Sequence, residues 1–319
     1  MHMDGKQEII QQQDMRAVLE NLKTAIMGED ENLKYILMAL LCEGHVLLEG
    51  LPGVGKTKLS LALSKSIMGT FKRIQFTPDV LPSDITGYYL YNRVENCMEY
   101  REGAALCNIL LADEINRASL RVQSSLLEAM EEHQVTVEGK TFQLPTTFMV
   151  IATQNSIENE GTYPLPEAQL DRFLIKLHIA YPKREDWKQI MTCYEMEDPV
   201  KRMGPVIGVE KLARLRLEVK GVIVSEPIYE YILDIIEAIN AVEKIEMGVN
   251  PRGSIALLKG AKAWAYLMGR NYILPDDIKK VAVPILAHRI KFKTNAVESY
   301  TEAIKCVETA IAKAKIPML

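Results

Sequence analysis

The sequence predicts a doubly wound α/β domain, with a parallel sheet between helices, followed by a smaller all-helical domain. Three observations carry this. Residues Gly50-Leu51-Pro52-Gly53-Val54-Gly55-Lys56-Thr57 form a complete Gly-x-x-x-x-Gly-Lys-Thr loop between an apolar run, His45 to Leu48, and a helical pattern, Lys58 to Met68. Strand, glycine loop and helix in that order is the context this motif needs. Ile109-Leu110-Leu111-Ala112 and Met149-Val150-Ile151-Ala152 are apolar on both faces, as buried parallel strands covered by helices are. From about Lys183 onward the pattern is helical throughout.

The elements follow in order. Residues 14 to 42 read as two helices around Met27-Gly28-Glu29-Asp30. Val46–Leu48, Ile74–Phe76, Ile109–Ala112, Phe148–Ala152 and Leu174–Ile179 read as strands of one sheet. Two segments interrupt the alternation. One, Phe76-Thr77-Pro78-Asp79 through Gly103, is rich in turn residues and tyrosine (Tyr88, Tyr89, Tyr91, Tyr100). The other, Gln134 to Phe142, alternates polar and apolar residues and turns near Glu138-Gly139, as a hairpin does. Ile228–Val242, Pro251–Met268, Pro275–Pro284 and Ala296–Lys315 read as helices. Tyr181-Pro182 marks the expected boundary between a domain over 1–182 and a domain over 183–319.

Composition narrows the function. A chain of 319 residues, 48% hydrophobic and 25% charged, has the length of about two globular domains. Its net charge of −4 argues against a broad electrostatic grip on nucleic acid or anionic membrane. Cys42, Cys97, Cys107, Cys193 and Cys306 are scattered with no C-x-x-C pair, which favours reduced thiols over a metal site. The apolar run Tyr35 to Cys42 is too short to span a bilayer. The polar start, with Gln7 and Glu8, does not read as a signal peptide, so a cytoplasmic location is expected.

The chemistry follows from residue type and place. Glycines let the loop backbone curl so that its N–H groups face phosphate oxygens, and the helix beginning at Lys56 adds its positive end. Lys56 is expected to reach the β- and γ-phosphates, and the Thr57 hydroxyl to ligate Mg²⁺. An apolar strand ending in two acids, Asp113-Glu114, suits the carboxyl edge of an open sheet, where ligands bind. Asp113 is then the Mg²⁺ partner and Glu114 the base that orients water. The same pair also suits a strand-end cap. Asn155, after the strand ending at Thr153-Gln154, is either a hydrogen-bond donor to phosphate or water, or a turn residue. Arg172 is either an arginine finger or half of a salt bridge to Asp171 or Glu167. In Asn250-Pro251-Arg252, asparagine suits a helix cap and proline the first helical position. Arg252 then lies in the first turn, where a cation needs an anion nearby, either a phosphate or a carboxylate.

Taken in this order, the loop, Asp113-Glu114, Asn155, Arg172 and Arg252 resemble an AAA+ ATPase. Four stretches narrow the resemblance to the MoxR family. They are Phe76 to Gly87 (FTPDVLPSDITG), Asp113 to Ala118 (DEINRA), Ser124 to Glu132 (SSLLEAMEE) and Glu160 to Phe173 (EGTYPLPEAQLDRF). Ser156, Ser119-Leu120 and the stretch Asn250-Pro251-Arg252-Gly253 depart from residues frequent in the family, and none of these changes removes a catalytic group.

The resemblance implies an AAA+ P-loop core with a helix-2 insert at about 83–103 and a pre-sensor-1 hairpin at about 134–142, followed by an all-α lid. It implies ATP and Mg²⁺ as cofactors. Gly50, Pro52, Gly53, Val54, Gly55, Lys56, Thr57, Lys58, Asp113, Met27 and Gly28 would hold the nucleotide, and Thr57 and Asp113 the metal. Asn155 would be sensor 1 and Arg252 sensor 2. Arg172 would act on the neighbouring subunit's nucleotide in a ring, usually a hexamer. Family members resemble chaperones that mature or activate protein complexes, often with a partner bearing a von Willebrand factor A domain.

A remodeller of a client protein complex is therefore the expected function. Two alternatives remain beside it. A nucleic-acid motor would share the inserts, but the hairpin balances Glu138 with Lys140 and the chain is acidic, unlike a single-strand channel. An assembly switch with little turnover would bind ATP without using Glu114.

Overall fold

The computed structural model describes residues 12–51, 53–155, 163–195, 197–293 and 299–317. Pro52, Ser156 and Glu160 to Thr162 lie outside the described residues, as do Gln7 and Glu8.

Two helices, α1 (Gln13–Lys23) and α2 (Asp30–Leu41), lead to β1 (Val46–Gly50), the glycine loop and α3 (Lys56–Ser66). Next come β2 (Phe71–Gln75), the short α4 (Pro82–Thr86), a hairpin of β3 (Gly87–Asn92) and β4 (Cys97–Glu102), β5 (Ile109–Asp113) and α5 (Leu120–Glu132). A second hairpin, β6 (Gln134–Val137) and β7 (Lys140–Gln143), precedes β8 (Met149–Gln154), the single turn α6 (Glu167–Leu170) and β9 (Ile175–Ile179).

The five sheet strands pair in parallel in the order β2-β5-β8-β1-β9. Their residues alternate between two hydrophobic layers. Val46, Leu48, Ile109, Leu111 and Ile151 enter one layer, while Leu47, Leu110, Ala112, Val150 and Ala152 enter the other. Both faces are buried, which explains why these strands read as continuous apolar runs. The edge strand β2 starts at Phe71, three residues before the predicted Ile74, because its half-buried Lys72 and exposed Arg73 hide the strand pattern.

The two hairpins touch. Tyr100 of the first stacks on Phe142 of the second at 4.0 Å between ring centres, and Tyr89 packs against Tyr100. Glu138 and Gly139 both adopt positive φ, the two-residue turn that matches strand twist. Tyr88 and Tyr91 remain exposed.

Helices α7 (Arg184–Tyr194), α8 (Pro199–Arg202), α9 (Val209–Lys220) and α10 (Glu226–Asn240) follow. The short strand β10 (Ile245–Met247), α11 (Pro251–Leu267), α12 (Pro275–Leu286), β11 (Lys291–Phe292) and α13 (Ser299–Lys313) complete the chain. On α10, Ile228, Tyr231, Ile232, Ile235, Ile236 and Ile239 recur at helical spacing and are all buried. Helix α2 packs on α9 and α11, so the layer begun by α1 and α2 continues into these helices.

α12 runs two residues beyond the predicted end at Pro284. Proline lacks the N–H that would reach the carbonyl of Lys280, and the Tyr35 hydroxyl donates to that carbonyl instead, at 3.1 Å. Among the described residues, no helix is long and apolar enough to cross a membrane.

Candidate active site

One cleft at the carboxyl edge of the sheet collects the predicted loop and acids. It has a volume of about 340 Å³ and is lined by Gly53, Gly55, Lys56, Thr57, Asp113, Glu114 and Asn155, together with Lys58, Arg73 and Gln75. Gly53 and Gly55 have φ of +83° and +93°, and a Cβ on either would meet nothing within 4 Å. The loop is therefore an open cradle that only glycine enters without strain. Gly50 has a different task. It ends β1, and a Cβ there would lie 2.5 Å from the carbonyl oxygen of Ile179, so glycine lets β1 and β9 approach.

Lys56 Nζ donates to the carbonyl of Gly50 at 2.8 Å. Burial lowers the pKa of this ammonium, and Asp113, Glu114 and Glu49 counter that effect. Asp113 is held on both oxygens. Thr153 Oγ1 donates to Oδ1 at 2.6 Å, and Arg73 lies 2.7 Å from Oδ2. The same threonine oxygen accepts the N–H of Glu114 at 2.8 Å. Glu114 has φ of +56°, and its carboxylate lies 2.9 Å from Arg117 Nε. The motif reading missed Arg73 and Thr153, since a basic residue on an edge strand and a threonine inside an apolar one carry no chemical signature by spacing.

A second, more apolar cavity of about 500 Å³ adjoins the first and shares Gly53, Gly55 and Lys58 with it. Ile26, Met27, Val54, Tyr181, Pro182, Trp187, Ile190 and Tyr194 supply most of its wall. Met27, expected beside the nucleotide, is one of these wall residues. Gly28 does not line the cavity. It sits against α7, where a Cβ would come within 2.7 Å of Asp186 Oδ2. Lys58 turns its ammonium onto the Tyr194 ring, 3.8 Å from its centre, and bonds the Tyr194 hydroxyl (2.5 Å) and Asp198 (3.1 Å). Burial opposes the charge of Lys58, but these two partners outweigh it and raise its pKa. Of the cavity's aromatic wall, sequence reading singled out only Tyr181-Pro182, as a boundary. Trp187 and Tyr194 look like ordinary packing residues of an amphipathic helix.

Arg172 and Arg252 are elsewhere. They line a third cavity of about 180 Å³ with Glu131, Asp171, Lys259 and Arg289, and it shares no residue with the cleft. Arg172 Nη1 lies 2.6 Å from Glu131 and donates to the carbonyl of Leu127 at 2.7 Å. Arg252 also pairs with Glu131 and stands 4.0 Å from Asp171. Within one chain, the partner of each arginine is thus a carboxylate, and for Arg172 it is neither Asp171 nor Glu167. Asn250 caps α11 through Gly253 N–H and also bonds Asp171. Asp171 is fixed from below by Arg289, which makes a 2.8 Å bond to its carboxylate and bonds the carbonyls of Phe173 and Leu174. Burial brings the Arg289 guanidinium down to about 10, and Asp171 keeps it charged.

A parallel sheet with a glycine cradle at its carboxyl edge, a lysine in the cradle and an acid pair on the next strand but one defines a P-loop nucleotide-binding protein. Comparison with known proteins agrees. Residues 45–175 match the family described as "ATPase family associated with various cellular activities (AAA)", and residues 237–305 match the AAA lid domain. The chain is 46% identical to the Bacillus subtilis protein YeaC, itself uncharacterized, over 96% of this chain and 97% of that one. It is 39% identical to Chaperone MoxR1 of Mycobacterium tuberculosis, over 86% of this chain and 74% of that one. The crystal structure of a candidate ATPase from Cytophaga hutchinsonii superimposes with a TM-score of 0.88, at 36% identity and 96% coverage of both chains. The chain belongs to the MoxR family of AAA+ ATPases.

Proposed function

We propose that the protein hydrolyses ATP with Mg²⁺ at a site shared between ring subunits, and uses the cycle to remodel or activate a client protein complex. The observation that carries this is the split of the predicted catalytic set. The loop, Lys56, Thr57, Asp113, Glu114 and Asn155 share one cleft, whereas Arg172 and Arg252 line a cavity that has no residue in common with it. A cation that stabilises the transferring phosphoryl group must reach it. A second copy of the chain would bring both arginines to the cleft.

The cleft suits the cofactors. The open cradle at Gly53 and Gly55 admits phosphates, and Lys56 would meet their charge. Thr57 and Asp113 would hold Mg²⁺, which offsets the charge on the phosphate oxygens. The apolar cavity walled by Ile26, Met27, Tyr181, Trp187 and Tyr194 suits a base. Glu114 would orient the attacking water and Asn155 would bond it or the γ-phosphate. The helices from Lys183 onward form the lid in this reading, and the two hairpins, 83–103 and 134–142, would carry motion to the client. A hexameric ring, a partner with a von Willebrand factor A domain and a cytoplasmic location complete the proposal. Chaperone MoxR1 lends it support by its name.

The test is ATPase activity against protein concentration for the parent, Arg172→Ala, Glu114→Gln and a mixture of the two variants. Specific activity should rise with concentration. The mixture should recover part of the lost rate, because some interfaces then join an intact Glu114 to an intact Arg172. Activity independent of concentration, with Arg172→Ala silent, would sink the shared site.

A further inference from the structure

Glu131 and Arg252 each occupy the less favourable end of a helix. Glu131 lies in the last turn of α5, where unpaired carbonyls repel an anion, and Arg252 in the first turn of α11, where unpaired N–H groups repel a cation. The two are ion-paired, Arg252 Nη2 to Glu131 Oε1. The other oxygen of the same carboxylate, Oε2, lies 2.6 Å from Arg172 Nη1. One carboxylate therefore joins two guanidiniums from distant parts of the chain.

Other partners are weaker or already engaged. Asp171 is held by Arg289 and Asn250 and stands 4.0 Å from Arg252. Leu127, one turn before Glu131 on α5, gives Arg172 a carbonyl at 2.7 Å but carries no charge. Among the described residues, Glu131 is the carboxylate within ion-pair distance of both arginines.

We propose that Glu131 is a positioning residue for hydrolysis, gathering Arg172 and Arg252 into one cationic pair for the neighbouring subunit's nucleotide. The proposal rests on the shared-site reading above. Two guanidiniums side by side repel each other, and each long side chain loses rotamer freedom when fixed. An anion bonded to both offsets these costs before the subunits meet. Because Arg172 follows β8 and α6 while Arg252 opens α11, the same contact also ties the position of α11 to the arginine on the sheet side. Glu131 acts only through the two arginines.

The experiment uses the full chain as the parent, Glu131→Gln and Glu131→Asp, each also combined with Arg172→Ala. It measures kcat and KM for ATP, binding of a fluorescent ATP analogue, and thermal melting. Glu131→Gln should lower kcat by about 10- to 100-fold, the scale of a misplaced catalytic group. KM, analogue binding and melting should stay near the parent, because the cleft shares no residue with this cavity. Glu131→Asp should recover part of the rate. In the Arg172→Ala background, Glu131→Gln should add less than about a twofold loss, since residues acting as a unit are not additive.

A parental kcat for Glu131→Gln would overturn the proposal. So would an undiminished loss in the Arg172→Ala background, or a loss explained by lower melting or weaker analogue binding. Arg172→Ala turning over like the parent would instead sink the shared-site reading, and this proposal with it.

Discussion

Arg73 on the edge strand β2 reaches across to β5 and lies 2.7 Å from Asp113 Oδ2, the oxygen that Thr153 leaves open. This ion pair is half-exposed on the arginine side and nearly buried on the aspartate side. In the proposed site, Arg73 therefore competes with Mg²⁺ for one carboxylate oxygen. Arg73→Met should lower the Mg²⁺ concentration for half-maximal ATPase by a few-fold, measured by titrating Mg²⁺ at fixed ATP. A higher requirement would show that Arg73 assists the site instead.

Thr153 serves both acids through one hydroxyl, donating to Asp113 and accepting from the Glu114 N–H. Thr153→Val keeps the shape and leaves a buried N–H without that acceptor. The loss should be about 1–3 kcal/mol in urea unfolding. ATPase should fall by about tenfold or more, the equivalent of about 1.4 kcal/mol in the barrier. A variant as stable and active as the parent would show that the hydroxyl is dispensable.

Gly50 and Gly53 belong to one motif but should fail differently. Gly50→Ala drives a Cβ to 2.5 Å from the Ile179 carbonyl, so β1 and β9 must part. Overpacking of this kind costs about 1–3 kcal/mol. Gly53→Ala meets nothing within 4 Å, but φ of +83° strains it by about 1–2 kcal/mol. It also crowds the phosphate cradle. Unfolding curves should therefore separate the first variant from the parent more strongly, and nucleotide titration the second. Equal loss of ATP affinity in both would contradict the division.

His45 sets an acid limit on stability. Its Nδ1 accepts the N–H of Val150 at 3.0 Å and its Nε2 faces the carbonyl of Met130 at 3.1 Å, which fixes a neutral ring with the proton on Nε2. Burial lowers its pKa to about 4, although the Met130 carbonyl favours the charged form. The unfolded chain, with an ordinary histidine near 6.5, binds the proton first as pH falls. The stabilisation is thus whole above pH 6.5 and declines between about 6.5 and 4, by on the order of 3 kcal/mol. Urea midpoints measured at pH 7.5, 6 and 5 should fall in that order, and His45→Gln should weaken the dependence, leaving the part due to His288, whose pKa burial also lowers.

Much of the site could be read from local patterns, because its parts lie within short motifs. The glycine loop, Lys56, Thr57 and Asp113-Glu114 come from two strand ends, and parallel pairing alone brings those ends together. The apolar cavity beside the loop could not be read that way. Ile26, Tyr181, Trp187 and Tyr194 meet only after α7 folds back beside the loop, and each by itself suits plain packing. Nor could the convergence on Glu131 be foreseen. Its charge at the end of α5 and that of Arg252 at the start of α11 each look unfavourable until the two helices are set side by side. The extra length of β2 was hidden for the opposite reason, since an edge strand carries charged residues that a buried strand cannot.

The chain has two tryptophans, and their surroundings differ sharply. Trp264 is 1% exposed in the core of the helical region, whereas Trp187 is 47% exposed and lines the apolar cavity beside the glycine loop. The protein therefore carries a built-in optical reporter with its own dark standard. Acrylamide should quench the emission of Trp187 and leave that of Trp264 untouched, and a purine nucleotide seated in the cavity should shield the first without altering the second. Site occupancy could then be followed in the unlabelled protein across the range of protein concentrations over which the proposed shared site is tested.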